Sequence, residues 1–257
     1  MKRSGIFGSV LRLILLVLAM AVPAVAQAKD DDEWHFLVAP YLIVPGMQGT
    51  LGIGGIEVDT DVTGEDILEN LQFGFNGYFA AQKGDWGFGA DILYMGLGTS
   101  GDYVNIDPSQ AAFTLVAIRR LAPTVDLQFG ARVNVIRGRI EFKDNAPPAL
   151  AGLILEDTQT WVDPLVGIHW KQPLGGKWLL SVPANVGGFG VASDIAFDVF
   201  PTVQYKLGER MWIGGGWRFM YMDYQTGYED GVPIPGEEPF KYDMITTGPV
   251  LGMAFRF

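Results

Sequence analysis

His169 and Asp163 are six residues apart in the stretch WVDPLVGIHW, an even spacing that puts both on one face of an extended strand. An imidazole beside carboxylates could act as a general base. Acyl transfer would also need a nucleophile held against that base, and no serine beside His169 is identifiable along the chain. His169 therefore reads as a hydrogen-bond partner and the chain as a non-enzyme with no catalytic residue and no cofactor. His35, next to Trp34, reads as interfacial.

A second candidate is Asp59-Thr-Asp61-Val-Thr63-Gly64-Glu65-Asp66. Against the calcium-loop pattern D-x-[DN]-x-[DN]-G-x5-E it matches positions one, three and six, but has Thr at five and Asn70 in place of the bidentate Glu. Asp59, Asp61 and Asp66 are thus a weak metal set. The more economical reading is a short helix capped by Thr63 and Asp66, within a stretch (Pro45–Asn70) of six acids and no Lys or Arg. Gly187-Gly188-Phe189-Gly190 lacks the lysine and helix of a phosphate loop and reads as a sharp turn that needs positive φ.

The charged residues become informative once strands are drawn through them. In Val125–Ile140, Val125, Leu127, Phe129, Ala131, Val133 and Val135 alternate with Asp126, Gln128, Arg132 and Asn134. Tyr242–Phe257 repeats the pattern: Ile245, Thr247, Pro249, Leu251, Met253, Phe255 and Phe257 face one way, and a smaller set ending in Arg256 faces the other. Lipid on one face and a polar interior on the other accounts for this alternation, which is that of a transmembrane β-barrel. Ten candidate strands follow, beginning at Trp34, Leu71, Trp86, Ala111, Val125, Thr160, Trp178, Asp194, Met211 and Phe240. Eight and twelve are the neighbouring counts, because Gly49–Val62 could form an extra hairpin. The connections alternate long and short with one exception, placing tight turns on the periplasmic side with both termini. By strand phase, Asp91, Asp126, Arg132, Asp163, His169, Asp198, Lys206, Arg218 and Arg256 point inward. The inward glycines leave space to be filled by long side chains, water or a solute. In so narrow a barrel a filled lumen is favoured over an open one. Trp34, Trp86, Trp178 and Trp212 would form a periplasmic aromatic belt, and Tyr94, Phe142, Trp161, Tyr221, Tyr224 and Tyr242 the opposite one.

The start of the chain reads as a cleaved signal peptide, residues 1–28. Lys2, Arg3 and Arg12 flank an apolar run over Leu11–Met20, and Ala26-Gln27-Ala28 supplies the cleavage site. The barrel would then occupy residues 29–257 as one domain. The net charge of −11 argues against nucleic acid as a partner, and the absence of cysteine suits an oxidising compartment.

Four stretches, WHFLVAPYL, WVDPLVGIHW, GGFGVASD and GPVLGMAFRF, resemble a widespread and largely uncharacterised family of bacterial outer-membrane β-barrel proteins. The resemblance implies the location and the fold, and carries no activity. Phe257, with Phe255 two residues earlier, also resembles the signal read by the barrel assembly machinery. The expected function is a non-enzymatic barrel, either a narrow passive pore or a structural component of the outer membrane, in contact with membrane lipids, lipopolysaccharide and the assembly machinery. The alternative is a surface binding module whose acidic loops take a divalent metal or a cationic ligand. A lipid-modifying enzyme ranks last.

Overall fold

The structure, a computed structural model, describes residues 33–62, 73–96, 99–229 and 231–257. The signal-peptide residues, Asp66 and the helix expected at Thr63 lie outside these. Among the described residues no helix is long and apolar enough to cross a membrane; strands do the crossing.

Ten antiparallel staves close into a barrel. The first is β1 (His35–Ile43), prolonged past Val44-Pro45 by β2 (Gly46–Ile53). The second comprises β3 (Ile56–Val62) and β4 (Phe73–Lys83), and the third is β5 (Trp86–Gly96) with the short β6 (Thr99–Ser100). β7 (Val104–Ile106) and β8 (Ser109–Ala122) form the fourth. β9 (Val125–Phe142), β10 (Ile154–Gly175) and β11 (Trp178–Gly187) are the next three. The eighth is interrupted at Phe200-Pro201, where the proline lacks a ladder donor, into β12 (Ile195–Val199) and β13 (Thr202–Lys206). β14 (Met211–Thr226) is the ninth. A small hairpin, β15 (Tyr228–Glu229) and β16 (Val232–Pro233), precedes the tenth, β17 (Phe240–Arg256).

Closure is complete. β17 pairs with β14 on one side and with β1 and β2 on the other, in continuous register from Leu37↔Arg256 to Phe240↔Ile53. Phe36 and Phe257 exchange backbone hydrogen bonds of 3.1 and 2.9 Å at the foot of this seam. Among the described residues no stave has an open edge within the apolar band, where hydrocarbon could not satisfy it, while β3 above the band pairs with β2 alone.

The staves are longer than the sequence pattern suggests, and the pattern inverts along them. Through Val135, β9 turns Leu127, Phe129, Ala131, Val133 and Val135 outward and keeps Gln128, Arg132 and Asn134 buried inside. Beyond that point the outward residues are Arg137, Arg139 and Glu141, and the buried inward ones are Ile136, Ile140 and Phe142. β17 does the same in reverse, from outward Lys241 and Asp243 over buried Phe240, Tyr242 and Met244 to outward Ile245, Leu251 and Met253. The barrel therefore has two storeys. The lower one, apolar outside and polar inside, is the part solvated by hydrocarbon. The upper one is apolar inside and polar outside, as in a soluble barrel, and stands above the lipid. A closed antiparallel barrel with such an apolar band is of the outer-membrane type, and the bacterial outer membrane is its location.

The upper storey corrects several expectations. Pro45–Asn70 is not a loop throughout, since β2 and β3 pair as a hairpin that lengthens the first two staves without adding to the ten. β10 starts at Ile154, not Thr160, because its upper outward residues, Glu156, Thr158 and Thr160, face water. Tyr94 and Tyr221 keep outward positions, but Phe142, Trp161, Tyr224 and Tyr242 pack into or against the interior cluster. At the lower rim Trp34, Trp86 and Trp178 are about half exposed, at 49, 55 and 50 %, whereas Trp212 is buried in the lumen. Of the inward glycines, Gly214 borders an interior cavity, but Gly130 and Gly216 leave no open space. A methyl group at Gly130 would lie 1.9 Å from the Leu115 carbonyl oxygen, and one at Gly216 2.0 Å from that of Pro201, so neighbouring backbone occupies those positions.

The inversion predicts unequal tolerance of charge on one outer wall. Phe129→Arg, inside the apolar band, should cost about 2–4 kcal/mol, while Thr158→Arg in the upper storey should cost about 1 kcal/mol or less. Chemical unfolding of the two variants in lipid vesicles measures the difference; equal costs would remove the two-storey reading.

Candidate functional site

The interior is stacked in three layers. The uppermost is an apolar plug in which Met47, Leu51, Leu93, Met95, Ile136, Ile140, Met220, Met222, Phe240, Tyr242 and Met244 are all less than 2 % exposed. These residues come from the first, third, fifth, ninth and tenth staves, so the plug spans the bore. Five are methionines, whose unbranched side chains adapt to an irregular space.

Under the plug lies a charged layer. Arg132 Nη2 donates to Asp198 Oδ2 at 2.7 Å, and its Nε donates to Thr114 Oγ1 at 2.9 Å. Arg218 reaches the same aspartate through Nε at 3.0 Å and Nη2 at 2.6 Å, and reaches Asp91 Oδ2 at 2.9 Å. Tyr41 joins the set by donating to Asp91 Oδ1 at 2.9 Å while accepting from Arg218 Nη1. Two guanidinium groups thus meet two carboxylates with no excess charge. That balance is what a buried ionic layer requires, because an unpaired charge there would be prohibitively desolvated. Sequence phase placed Asp91, Arg132, Asp198 and Arg218 inward; here all four meet in one network.

Asp163 is inward but separate. It is 1 % exposed and has no cation partner among the described residues. Its carboxylate accepts from Asn134 Nδ2 and Trp161 Nε1, both at 2.9 Å, and from Ser193 Oγ at 2.8 Å and Ser193 N at 2.9 Å. Ser193 belongs to the turn after Gly187, where Gly188, Phe189 and Gly190 all have positive φ. That turn has the backbone expected of it, and it is fastened into the barrel wall. Trp161, stacked on Tyr224 at 3.9 Å between centroids, completes the fastening.

Below the charged layer, toward the short turns, is a cavity of about 180 Å³. Its walls include Leu37, Tyr78, Leu179, Phe200, Trp212 and Arg256. His169 lines it too, but not beside Asp163. Its Nε2 lies 2.7 Å from Ser181 Oγ on the adjacent stave. No carboxylate among the described residues bonds the other ring nitrogen, so nothing orients the imidazole as a triad would require. Asp126, at the lower end, is paired by Lys171 at 2.5 Å and flanked by Arg120 at 3.7 Å. Ser181 escaped the sequence reading because it lies on the next strand, and only the β10–β11 register, with Lys171 opposite Ser181, brings it near His169. Tyr41 and Trp212 were findable from strand phase alone.

The remaining candidates lie outside the lumen. Asp59 and Asp61 are exposed on the outer face of β3, where Asp59 accepts from Thr50 Oγ1 at 2.9 Å. Among the described residues no group of three His, Cys, Asp or Glu side chains is placed to hold a metal. Phe255 is in the last stave, and Phe257 is 62 % exposed at the lower rim.

No family model and no curated protein matches the chain. Solved structures similar to it include Ail, the attachment invasion locus protein of Yersinia pestis, at 9 % identity and TM-score 0.40 over 88 % of this chain and 99 % of that one. A FadL homologue of Pseudomonas aeruginosa is similar at 7 % identity and TM-score 0.41, covering 88 % of this chain and 90 % of that one. Neisserial surface protein A is similar at 10 % identity and TM-score 0.33, covering 87 and 97 %. At such scores these likenesses carry no inference about this chain, and the resemblance drawn from the four stretches holds for the kind of barrel, not for a defined family.

Removing Asp198 leaves Arg132 and Arg218 facing each other without a shared anion. Asp198→Ala should cost about 3–5 kcal/mol, and the fourfold replacement Asp91→Asn, Arg132→Met, Asp198→Leu, Arg218→Met, which removes both signs of charge together, should regain most of that loss. Urea unfolding of the refolded barrel reports both; a near-neutral Asp198→Ala would mean the layer contributes no cohesion.

Proposed function

We propose that the protein is a non-enzymatic, non-conducting barrel and acts as a structural component of the bacterial outer membrane. Of the two forms expected from sequence, pore and structural element, the second is favoured by the stacked closure of the bore. An ion would have to displace a neutral, fully bonded charged layer and then an apolar plug, and each is unfavourable for a hydrated charge. The absence of an enzymatic role rests on the same interior, since the Ser181–His169 pair lacks an acid to orient it. Lipid and lipopolysaccharide surround the apolar band in this reading, and Phe255 and Phe257 serve assembly.

A second reading, surface binding, draws support from the upper storey. Its outer wall places exposed Asp59 and Asp61 above the lipid, on a paired hairpin rather than a free loop, with Glu57 beside them already paired to Lys241 at 2.7 Å. The two aspartates suit a cationic partner.

Planar-bilayer recording tests the leading reading. Wild-type barrels should insert without discrete conductance steps. Reproducible single-channel openings that shift ion selectivity on Arg132→Ser substitution would replace the structural reading with a pore.

A further inference from the structure

The charged layer and plug close the bore from above, and the cavity beneath them is reached from the periplasmic side. By area its lining is mostly apolar, with Leu37, Val116, Leu179, Phe200 and Val250 in the walls, and Gln128, Ser181 and Gln204 interrupt it. At the lower end stands Trp212, with the Arg256 guanidinium 4.3 Å from its ring centroid and Lys206 Nζ at 5.4 Å. Arg256 makes no ion pair among the described residues, in contrast to Arg132 and Arg218, and Lys206 has only the solvent-exposed Glu209 at 4.0 Å. The surrounding rim carries both signs of charge, and Arg119 is paired there with Asp85 at 3.2 Å.

We propose that this cavity is a periplasm-facing binding site for a small amphiphilic carboxylate, with its acid group held by Arg256 beside Trp212 and its apolar body inserted upward among Leu37, Leu179 and Phe200. Three features of the site point to this class of ligand. A cavity of about 180 Å³ is of the size that takes one aromatic ring, an apolar cavity of about 150 Å³ being enough for benzene. The wall area between the polar side chains is apolar, so an apolar body gains by leaving water there. The cation at the entrance lacks a protein carboxylate, so a ligand carboxylate can take a charge-assisted hydrogen bond there without displacing one. A lipid acyl chain is excluded as the occupant by length, and the charged layer sets the depth limit.

The test uses the full barrel in nanodiscs and two carboxylate probes, 3-phenylpropionate and octanoate, beside the size-matched amines 3-phenylpropylamine and octylamine. Calorimetric titration, corrected with empty nanodiscs, should give one carboxylate per barrel, bound at least about tenfold tighter than the matching amine. Arg256→Gln should weaken the carboxylates by about tenfold and leave the amines unchanged. Ala254→Phe, which fills the cavity, should abolish both, while Arg139→Gln on the outer wall should change nothing. Because a filled variant could fail to fold, wild-type protein carrying 5-fluorotryptophan supplies an independent reading: the Trp212 fluorine resonance, assigned with Trp212→Phe, should shift on adding 3-phenylpropionate. Equal affinity for acids and amines, heat no larger than in empty nanodiscs, or an unmoved Trp212 resonance would overturn the proposal. Conductance is a separate measurement, so failure here leaves the closed-barrel reading standing.

Discussion

A β-strand gives alternate side chains to opposite faces, and in this protein that alternation is used in two opposite senses along the same staves. Hydrocarbon around the lower storey demands apolar residues outside; water around the upper storey allows them inside. The hydrophobic effect then drives Leu127 to Val135 outward and Ile136 to Phe142 inward within one unbroken β9. The charged layer lies immediately below the inversion. Apolar packing above it and lipid-facing wall around it leave little solvent to stabilise a net charge, and the set of Arg132, Arg218, Asp91 and Asp198 is accordingly neutral. Position along the barrel and composition of the lumen are thus two expressions of one change of solvent.

The lower storey was legible in the sequence because one parity stays greasy for nine residues at a time. Closure, the order of the staves and the inward phase of the lumen charges all followed from it. The upper storey was hidden by the same rule. Where the greasy parity changes face, alternation looks as though it has ended, so Ile154 to Gln159 read as loop when they are wall. Aromatic residues were misassigned for a related reason. Trp161, Tyr224 and Tyr242 have the height of an interfacial belt but the wrong face, and height alone does not decide which solvent a ring meets.

Partners across the bore were not legible at all. Arg218 and Asp91 are 127 residues apart and share no ladder, so their contact depends on barrel diameter and stagger. The same holds in part for Ser181 and His169, which need the hairpin register to be known before they can be neighbours. Phase assigns a side chain to the inside; only geometry says whom it meets there.

The fastening of the 188–193 turn by Asp163 has a consequence for how the outer surface of this barrel can vary. The connection over residues 231–238 is exposed almost throughout and has room to lengthen or to carry foreign segments. An insertion at Ser193 would instead separate the turn from the buried carboxylate and leave that carboxylate without two of its donors, a loss the stave could not make up locally. Diversity at the cell surface is therefore expected to concentrate on such exposed connections, with this short corner staying nearly constant in length.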